Sequence, residues 1–197
     1  MALPLLFATQ NAHKAREVET LLQGIMQVAS LVGTGITEEL PETGNTLEAN
    51  AQEKAAYVFT QLHRACFAED TGLEIDALNG APGVYTARYA GPERDNLANM
   101  NKVLHELKSS TNRKAQFRTV IALHTSDGVH LFEGIVKGSI AHSISGKGGF
   151  GYDPIFIPEG HDKTFAELGD DIKNTISHRA RAIEKLKAFL AVGRSSL

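Results

Sequence analysis

Short apolar runs alternate with segments of helical apolar spacing along the first third of the chain. Leu3 to Ala8 is an apolar run that predicts a buried strand. Helical spacing begins near Ala12, at positions Ala15, Val18, Leu21, Leu22 and Ile25. Gln27 to Val32 predicts a second short strand, and the polar, glycine-containing residues 33–45 predict a loop. The chain is therefore expected to open as strand, helix, strand and loop.

A second helix is predicted from Thr46 to about Leu62 by one stripe of apolar positions. Asn45 and Glu48 have the spacing of a capping box at its start. Asn50 and Lys54, four residues apart, share another face of this helix. The predicted helix thus has one apolar face and one face that carries polar groups.

A buried strand is predicted over Ala65 to Ala68, and it is expected to end at the polar corner Glu69-Asp70-Thr71-Gly72. A short apolar stretch, Leu73 to Leu78, and a loop from Asn79 to Pro92 follow. Two neighbouring carboxylates at the end of a strand indicate a possible site of chemistry.

The middle of the chain predicts a helix and a hairpin. Apolar positions from Leu97 to Leu107 have helical spacing. Ala115 to His124 and Val129 to Val136 are β-rich runs on either side of Ser126-Asp127-Gly128, which is a hairpin signal. Because a hairpin is antiparallel, the sheet is expected to be mixed.

The last third predicts a glycine-rich loop over Gly146 to Gly151, a short strand over Pro154 to Pro158 and a last helix across Ile176 to Leu190. No internal repeat or linker interrupts the order. The sequence therefore predicts an α/β fold with a mixed, twisted sheet flanked by helices, built as a single domain over residues 1–197.

Composition narrows the class of protein. The 197 residues are 42% hydrophobic, and 23 acidic side chains nearly cancel 20 basic ones, leaving a formal charge of -3. Such a chain has no broad cationic field for a nucleic-acid backbone or an anionic membrane. We therefore expect neither nucleic acid nor membrane as a partner, and any phosphate contact has to be local.

The expected location is the cytoplasm. The apolar start, Met1 to Ala8, has no preceding cationic region and turns polar at Thr9, which argues against a signal peptide. No apolar segment approaches the length of a membrane span. The single cysteine, Cys66, excludes an intrachain disulfide, favours a reducing compartment and is interpreted as a core residue.

Two polar clusters could handle phosphates and a metal ion. The residues Thr9 to Lys14 lie between a predicted strand and a helix, where backbone N–H groups and the helix dipole favour an anion, although such loops are also common caps. Glu42, Glu69 and Asp70 offer the oxygen ligands that magnesium prefers. Glu69 and Asp70 point to opposite faces of a strand, so only one is expected to bind the ion directly. The alternative is that they are solvated acids.

Two later clusters could bind a flat ring. In the segment Gly148 to Pro154, Phe150 or Tyr152 could stack on a base and Asp153 could accept from a ring N–H; a plain turn with core aromatics is the alternative. Lys173 and Ser177-His178-Arg179 are donors near the start of the predicted last helix. An arginine offers only donors and so suits a 6-oxo purine. The alternative is a surface helix whose first turn is basic, an arrangement that the helix dipole disfavours.

Taken in this order, the clusters resemble the inosine triphosphate pyrophosphatase family, whose members are also described as dITP/XTP pyrophosphatases. The resemblance covers nearly the whole chain. The matching stretches are FATQNAHKARE (7–17), ETGNTLEANAQEKA (42–55), AEDTGLEIDALNGAPGVYTARYAG (68–91), GGFGYDPIF (148–156) and ISHRARA (176–182).

The resemblance implies a homodimeric α/β enzyme with a long mixed sheet and an active-site cleft between two lobes. It further implies magnesium-dependent hydrolysis of ITP, dITP and XTP to the nucleoside monophosphate and pyrophosphate, which removes them from the nucleotide pool. Matched by position, the residues at the triphosphate are Thr9, Gln10, Asn11, Ala12, His13, Lys14 and Lys54. The residues at the base are Phe150, Gly151, Tyr152, Asp153, Lys173, His178 and Arg179.

The resemblance also assigns the metal and the proton acceptor. Glu42 and Asp70 correspond to the metal ligands, Asp70 to the proton acceptor and Thr71 to a further substrate contact. The chain departs from the common family pattern at Gln10, His13, Ala49, Glu69 and Thr71, and Ala49 removes one candidate carboxylate. Two other functions remain as alternatives: a nucleotide pyrophosphatase of other base specificity, and a nucleotide-binding module without catalysis.

Overall fold

A computed structural model of the chain describes residues 4–192. The strands are β1 (Leu5–Phe7), β2 (Val28–Ala29), β3 (Cys66–Ile75), β4 (Lys114–Thr125), β5 (Gly128–Ile140) and β6 (Phe156–Pro158). The α-helices are α1 (Ala12–Leu22), α2 (Leu47–Leu62), α3 (Asn96–Glu106), α4 (Phe165–Ile176) and α5 (His178–Val192). Short 3-10 helices cover Asp76–Leu78, Gly83–Arg88 and Asp153–Ile155. Leu3, where the first strand was predicted to begin, lies outside the described residues.

The strands form one mixed sheet in the order β2-β1-β3-β4-β5-β6. Strand β1 pairs in parallel with β2 and with β3, where Leu6 lies opposite Cys66. Strand β5 pairs antiparallel with β6, where Ser139 lies opposite Ile157. The predicted hairpin is present, because β4 and β5 are neighbours joined through Ser126 and Asp127. The predicted α/β fold with a mixed sheet is thus confirmed.

The chain divides into two compact units. The first consists of the described parts of residues 1–70, 119–134 and 179–197, and the second of residues 71–118 and 135–178. Each unit has its own apolar core: Phe7 and Phe67 stack at 4.5 Å between ring centroids in the first, and Phe117 and Phe156 pack at 4.7 Å in the second. The single domain and the cleft between two lobes stay predictions.

Strand β3 differs from its prediction, because it continues through the polar corner that was expected to end it. Glu69 and Asp70 lie in the middle of a ten-residue strand and are only 2% and 7% exposed. A strand can bury carboxylates when charged or amide partners meet them. Both side chains have such partners in the first unit, so the backbone stays extended where the sequence suggested a turn.

Helix α4 was missed by the sequence analysis, and it carries Lys173. It begins at a capping box in which Thr164 accepts from the N–H of Glu167. A kink at Gly169, whose φ is +80°, interrupts the helix and its apolar period. Ser177 is extended and separates α4 from α5. The predicted last helix therefore corresponds to α5, which begins at His178 rather than at Ile176, and Lys173 lies on α4 instead of near the start of that helix.

Two smaller predictions about helix ends are also wrong. Helix α2 is capped by Thr46, whose side chain accepts from the N–H of Ala49 at 3.1 Å, rather than by Asn45. Helix α1 ends at Leu22, and Ile25 lies beyond it with 52% of its surface exposed.

No helix within residues 4–192 has the length and apolar character needed to cross a bilayer.

Cys66 is fully buried, which confirms its interpretation as a core residue. Burial raises the pKa of its thiol to about 12, and its Sγ donates to the Ala55 carbonyl at 3.3 Å, a bond that only the protonated thiol can make. Because the thiolate is the reactive form, we expect no reaction with a thiol reagent at neutral pH in the native protein and one equivalent per chain in denaturant. Release of thionitrobenzoate measures both states, and rapid stoichiometric labelling of the native protein would contradict the prediction.

Candidate active site

The loop from Thr9 to Lys14 links β1 to α1 and caps the helix. Oδ1 of Asn11 accepts the N–H groups of His13 at 3.0 Å and Lys14 at 3.1 Å, and the Asn11 N–H donates to Thr9 Oγ1 at 3.1 Å. This cap explains why the helix starts at Ala12. Asn11, Ala12 and His13 are exposed at the positive end of the helix dipole. Phosphate binding stays a prediction here.

A buried ion network joins this loop to β3 and α5. Arg179 donates from Nε and Nη2 to the two oxygens of Glu69, at 2.8 and 2.7 Å, and from Nη1 to Glu17. Lys14 Nζ lies 3.2 Å from Glu69 Oε1. The side chains of Arg179 and Glu69 are each 1% exposed. Glu69 is therefore bound by two cations of the first unit.

Electrostatics keep both partners of this network charged. Burial alone would raise the pKa of Glu69, but the guanidinium of Arg179 and the ammonium of Lys14 outweigh it and hold that pKa below its usual range. Burial alone would lower the pKa of Arg179, but the carboxylates of Glu69 and Glu17 outweigh it and raise that pKa. Glu69 and Arg179 therefore stay charged at neutral pH.

The position of Arg179 was not foreseen. The sequence groups it with Lys173 and His178 as donors to a base, whereas the structure places its guanidinium on carboxylates 110 and 162 residues away in the chain. Nothing local to residue 179 indicates these partners. A direct role of Arg179 in base recognition stays a prediction.

Glu42, Lys54 and Asp70 come together in the first unit. Lys54 Nζ donates to Glu42 Oε1 and lies 3.5 Å from Asp70 Oδ1. Their side chains are 7% (Lys54), 30% (Glu42) and 10% (Asp70) exposed. Two carboxylates, one from the loop before α2 and one from β3, therefore face the same cation.

The same pair fits a divalent ion. Carboxylates that reach one ammonium are close enough to share a metal, and their oxygens are the ligands that magnesium prefers. Residues 4–192 contain no group of three His, Cys, Asp or Glu side chains placed to hold a metal. A site with two carboxylates, completed by water and phosphate oxygens, matches the way magnesium usually binds. Ala49 adds no ligand.

Asn50 is a further member of this cluster, and the sequence analysis did not single it out as a site residue. Its Nδ2 donates to Asp70 Oδ2 at 3.0 Å, and its Oδ1 accepts the N–H of Gly44 at 2.8 Å. The side chain is almost fully buried on α2, one turn before Lys54. The shared helical face with Lys54 was the available signal in the sequence.

The glycine-rich segment folds around Asp153 in the second unit. Oδ2 of Asp153 accepts the N–H of Phe150 at 2.8 Å and the ammonium of Lys173 at 2.6 Å. Lys173 Nζ also lies 4.6 Å from the centroid of the Phe150 ring. Gly149 has a φ of +71°, and a Cβ there would lie 2.2 Å from Asp153 Oδ2. A glycine is therefore required at this position.

The two aromatic rings of this segment differ in exposure. Phe150 is partly exposed, whereas Tyr152 is 3% exposed and donates from its hydroxyl to the Thr86 carbonyl at 2.8 Å. Burial raises the pKa of Tyr152. His178 is buried too, stacked on Phe117 with 4.7 Å between centroids. Of the two rings, Phe150 is the one that presents surface to a ligand.

The predicted site residues thus fall into two groups. The first unit contains Thr9, Gln10, Asn11, Ala12, His13, Lys14, Glu42, Lys54, Asp70 and Arg179. The second contains Thr71, Phe150, Gly151, Tyr152, Asp153, Lys173 and His178. The first group combines carboxylates and lysines suited to a metal and phosphates. The second combines an aromatic ring with a buried ion pair.

The chain is similar to known proteins over almost its whole length. Residues 5–189 match the model of the Ham1 family. The chain is 51% identical to a dITP/XTP pyrophosphatase of Porphyromonas gingivalis, over 94% of this chain and 96% of that protein. It is 50% identical to a protein of the same name from Flavobacterium johnsoniae, over 92% and 95% of the two chains.

A solved structure has the same fold. The HAM1 protein of Coxiella burnetii superimposes with a TM-score of 0.89 at 37% sequence identity, covering 98% of this chain and all of that one. The matched family model, the sequence relatives and the solved structure each span almost the full length. The resemblance seen in the sequence is therefore confirmed, and the chain belongs to the Ham1 family.

Proposed function

We propose that this protein hydrolyses the non-standard purine nucleoside triphosphates ITP, dITP and XTP to the monophosphate and pyrophosphate, and so removes them from the nucleotide pool. The observation that carries the proposal is the convergence of Glu42 and Asp70 on Lys54. This arrangement suits a metal-assisted attack on a phosphate. The name shared by the sequence relatives, dITP/XTP pyrophosphatase, supports the substrate class.

The first unit would bind the triphosphate and activate water. A bound magnesium ion would supply charge neutralisation on the phosphate oxygens, and Glu42 and Asp70 would hold it. Lys14 and Lys54 would offset the remaining phosphate charge. Asp70 would accept the proton of a water whose oxygen attacks the α-phosphorus. The bond between that phosphorus and the bridging oxygen breaks, and pyrophosphate leaves with the electron pair.

The second unit would recognise the base. A hypoxanthine or xanthine ring offers an acceptor at O6 and a donor at N1–H, whereas adenine offers the reverse pattern. Phe150 would stack on the ring, Lys173 would donate to O6 and Asp153 would accept from N1–H. This donor and acceptor pattern favours 6-oxo purines over adenine.

Replacement of Asp153 by Asn tests this recognition. The amide would present a donor where the carboxylate accepts, so we expect the ratio of kcat/KM for ITP to kcat/KM for ATP to fall by roughly tenfold or more. Steady-state kinetics with both nucleotides measure the ratio. Asp170→Asn is the matched control, because Asp170 is exposed on α4 in the same unit. An unchanged ratio in Asp153→Asn would exclude Asp153 from base recognition.

The proposed reaction is tested by pyrophosphate release from ITP, XTP, dITP, ATP and GTP, with and without magnesium, together with identification of the nucleotide product. Magnesium-dependent formation of monophosphate and pyrophosphate, faster from the non-standard nucleotides than from ATP, is the expected result. Preference for another base would favour the alternative specificity. Binding without turnover would favour the module that lacks catalysis, and release of orthophosphate would contradict the proposed chemistry.

We also propose that the protein acts as a homodimer in the cytoplasm. The dimer rests on the family resemblance. The cytoplasmic location is supported by a single, fully buried cysteine, which suits a reducing compartment. Light scattering coupled to size-exclusion chromatography measures the mass in solution, and a monomeric mass near 21.3 kDa would contradict the dimer.

A further inference from the structure

Asn50 makes two hydrogen bonds whose directions the geometry fixes. The backbone N–H of Gly44 can only donate, so the amide atom that faces it, at 2.8 Å, is the acceptor Oδ1. The other amide atom, Nδ2, is left to donate to Asp70 Oδ2 at 3.0 Å. The side chain is 1% exposed, and a buried amide that lost a partner would carry a desolvation cost. Asn50 therefore has one defined orientation.

This orientation constrains Asp70. Its Oδ2 accepts from Asn50, while its Oδ1 faces Lys54 at 3.5 Å. The two oxygens thus have different partners, which fixes the plane of the carboxylate. With the plane fixed in this way, Oδ1 of Asp70 and the Glu42 carboxylate both face the ammonium of Lys54.

The same amide also constrains the segment that carries Glu42. Gly44, two residues after Glu42, is tied to Asn50, and Thr43 is tied to Glu53 through its N–H at 2.7 Å and its hydroxyl at 2.8 Å. A Cβ on Gly44 would lie 2.6 Å from the Cβ of Ala49, so the glycine allows this close approach to α2. Asn50 therefore contacts both the backbone of this loop and the carboxylate of Asp70.

We propose that Asn50 is a positioning residue that sets the separation of the Glu42 and Asp70 carboxylates and aims Asp70 Oδ1 at the metal and the attacking water. The inference rests on the proposed function, because Asn50 acts only through the metal-binding and catalytic roles proposed for Glu42 and Asp70. Removal of a group that orients a metal ligand typically costs 10- to 100-fold in metal affinity or activity. In this role Asn50 acts through its hydrogen bonds to Gly44 and Asp70.

Three variants separate positioning from loop anchoring. Asn50→Ala removes both hydrogen bonds. Asn50→Asp keeps an acceptor for the Gly44 N–H but replaces the donor to Asp70 with a carboxylate oxygen of nearly the same size. Glu53→Gln weakens the other anchor of the loop, which does not touch Asp70. If Asn50 acts through Asp70, both Asn50 variants lose kcat for ITP by about 10- to 100-fold with a KM near that of the wild type, while Glu53→Gln keeps its kcat.

Asn99 offers a matched control for the loss of a buried asparagine. It is also 1% exposed, accepts the N–H of Ala90 at 2.6 Å and donates to the Ala87 carbonyl at 3.0 Å, with no carboxylate as a partner in these bonds. Asn99→Ala is therefore expected to lower the melting temperature as Asn50→Ala does, but to leave kcat close to the wild-type value. Thermal unfolding followed by circular dichroism shows that the variants compared are folded.

A binding measurement complements the kinetics. Mn²⁺ alone, titrated into the protein without nucleotide and followed by electron paramagnetic resonance, is expected to bind about 10- to 100-fold more weakly to Asn50→Ala than to the wild type. A wild-type kcat in Asn50→Asp, or equal Mn²⁺ affinity in Asn50→Ala and the wild type, would overturn the positioning role. The proposed function would remain intact as long as the wild type hydrolyses ITP. A wild type without ITP turnover would overturn the proposed function itself.

Discussion

Replacement of Asp70 by Asn is expected to lower kcat for ITP by roughly 10²- to 10⁴-fold, the usual contribution of a general base. Asparagine has nearly the same size and can still accept from Asn50, but it cannot take a proton and it removes one negative charge from the proposed metal site. Lys14 and Lys54 stay available to the phosphates, so nucleotide binding should change much less than kcat. Steady-state kinetics, with calorimetric binding of a non-hydrolysable ITP analogue, measure both quantities.

The control for this variant is Asp127→Asn, which removes the same charge from an exposed turn in the first unit. It is expected to keep the wild-type kcat. If Asp70→Asn also kept a near-wild-type kcat, Asp70 could not be the proton acceptor. If the variant instead lost nucleotide binding with an unchanged kcat at saturation, Asp70 would act in binding rather than in the chemical step.

The elements that were predicted correctly are those whose signals come from residues close together in the sequence. The β4–β5 hairpin was visible because two β-rich runs flank Ser126, Asp127 and Gly128. Helix α2 was visible because its buried residues, among them Ala51, Ala55 and Val58, recur on one face. Such signals require no knowledge of the partner elements.

Two elements that were predicted wrongly or missed, β3 and α4, have different physical causes. Strand β3 continues through Glu69 because Arg179, 110 residues later, binds that carboxylate, and no local pattern announces it. Helix α4 was missed because Gly169, with a positive φ, interrupts it between Phe165 and Ile176. In β3 the tertiary environment decides the local conformation against the local signal, whereas in α4 a single glycine breaks the apolar period from which a helix is predicted.

The candidate site shows the same division. Residue chemistry alone indicated Glu42, Glu69 and Asp70 as a possible acidic cluster, and the structure separates them. Glu42 and Asp70 face Lys54, while Glu69 faces Lys14 and Arg179. The alternation of side chains along β3 explains the separation, because neighbouring residues of a strand point to opposite faces. The expectation that Glu69 and Asp70 would not share one ion agrees with this geometry.

Glu69 therefore has a structural role that its charge alone does not reveal. It binds Arg179 in the first turn of α5, where a cation is otherwise disfavoured by the helix dipole. It also contacts Lys14, the cation at the end of the predicted phosphate loop. One buried carboxylate thus links the loop after β1 to the start of α5.

Replacement of Arg179 by Met is accordingly expected to lower the free energy of unfolding by about 3 to 5 kcal/mol, because it leaves Glu69 buried with Lys14 as its remaining cation in the network. Urea denaturation at neutral pH measures the change. Arg181→Met, an exposed position two residues along the same helix, is the control and is expected to change the free energy of unfolding by no more than about 0.5 kcal/mol.

The loss of stability in Arg179→Met should depend on the charge of Glu69 and therefore on pH. In the wild type the folded-state pKa of Glu69 lies below its usual value of 4.5, so its contribution to stability is complete above that value and is lost as the pH falls toward the folded-state pKa. Removal of Arg179 takes away the largest influence that lowers the pKa of Glu69, so that pKa rises relative to the wild type. Protonation then relieves part of the loss of stability, and Arg179→Met should be less damaging at pH 5 than at pH 7.

A double-mutant cycle with Glu69→Gln isolates this coupling. The double variant removes both charges, so its loss of stability should be smaller than the sum of the two single losses. Losses that add, together with a cost of Arg179→Met that is independent of pH, would show that the ion pair of Arg179 and Glu69 does not hold the start of α5 against β3.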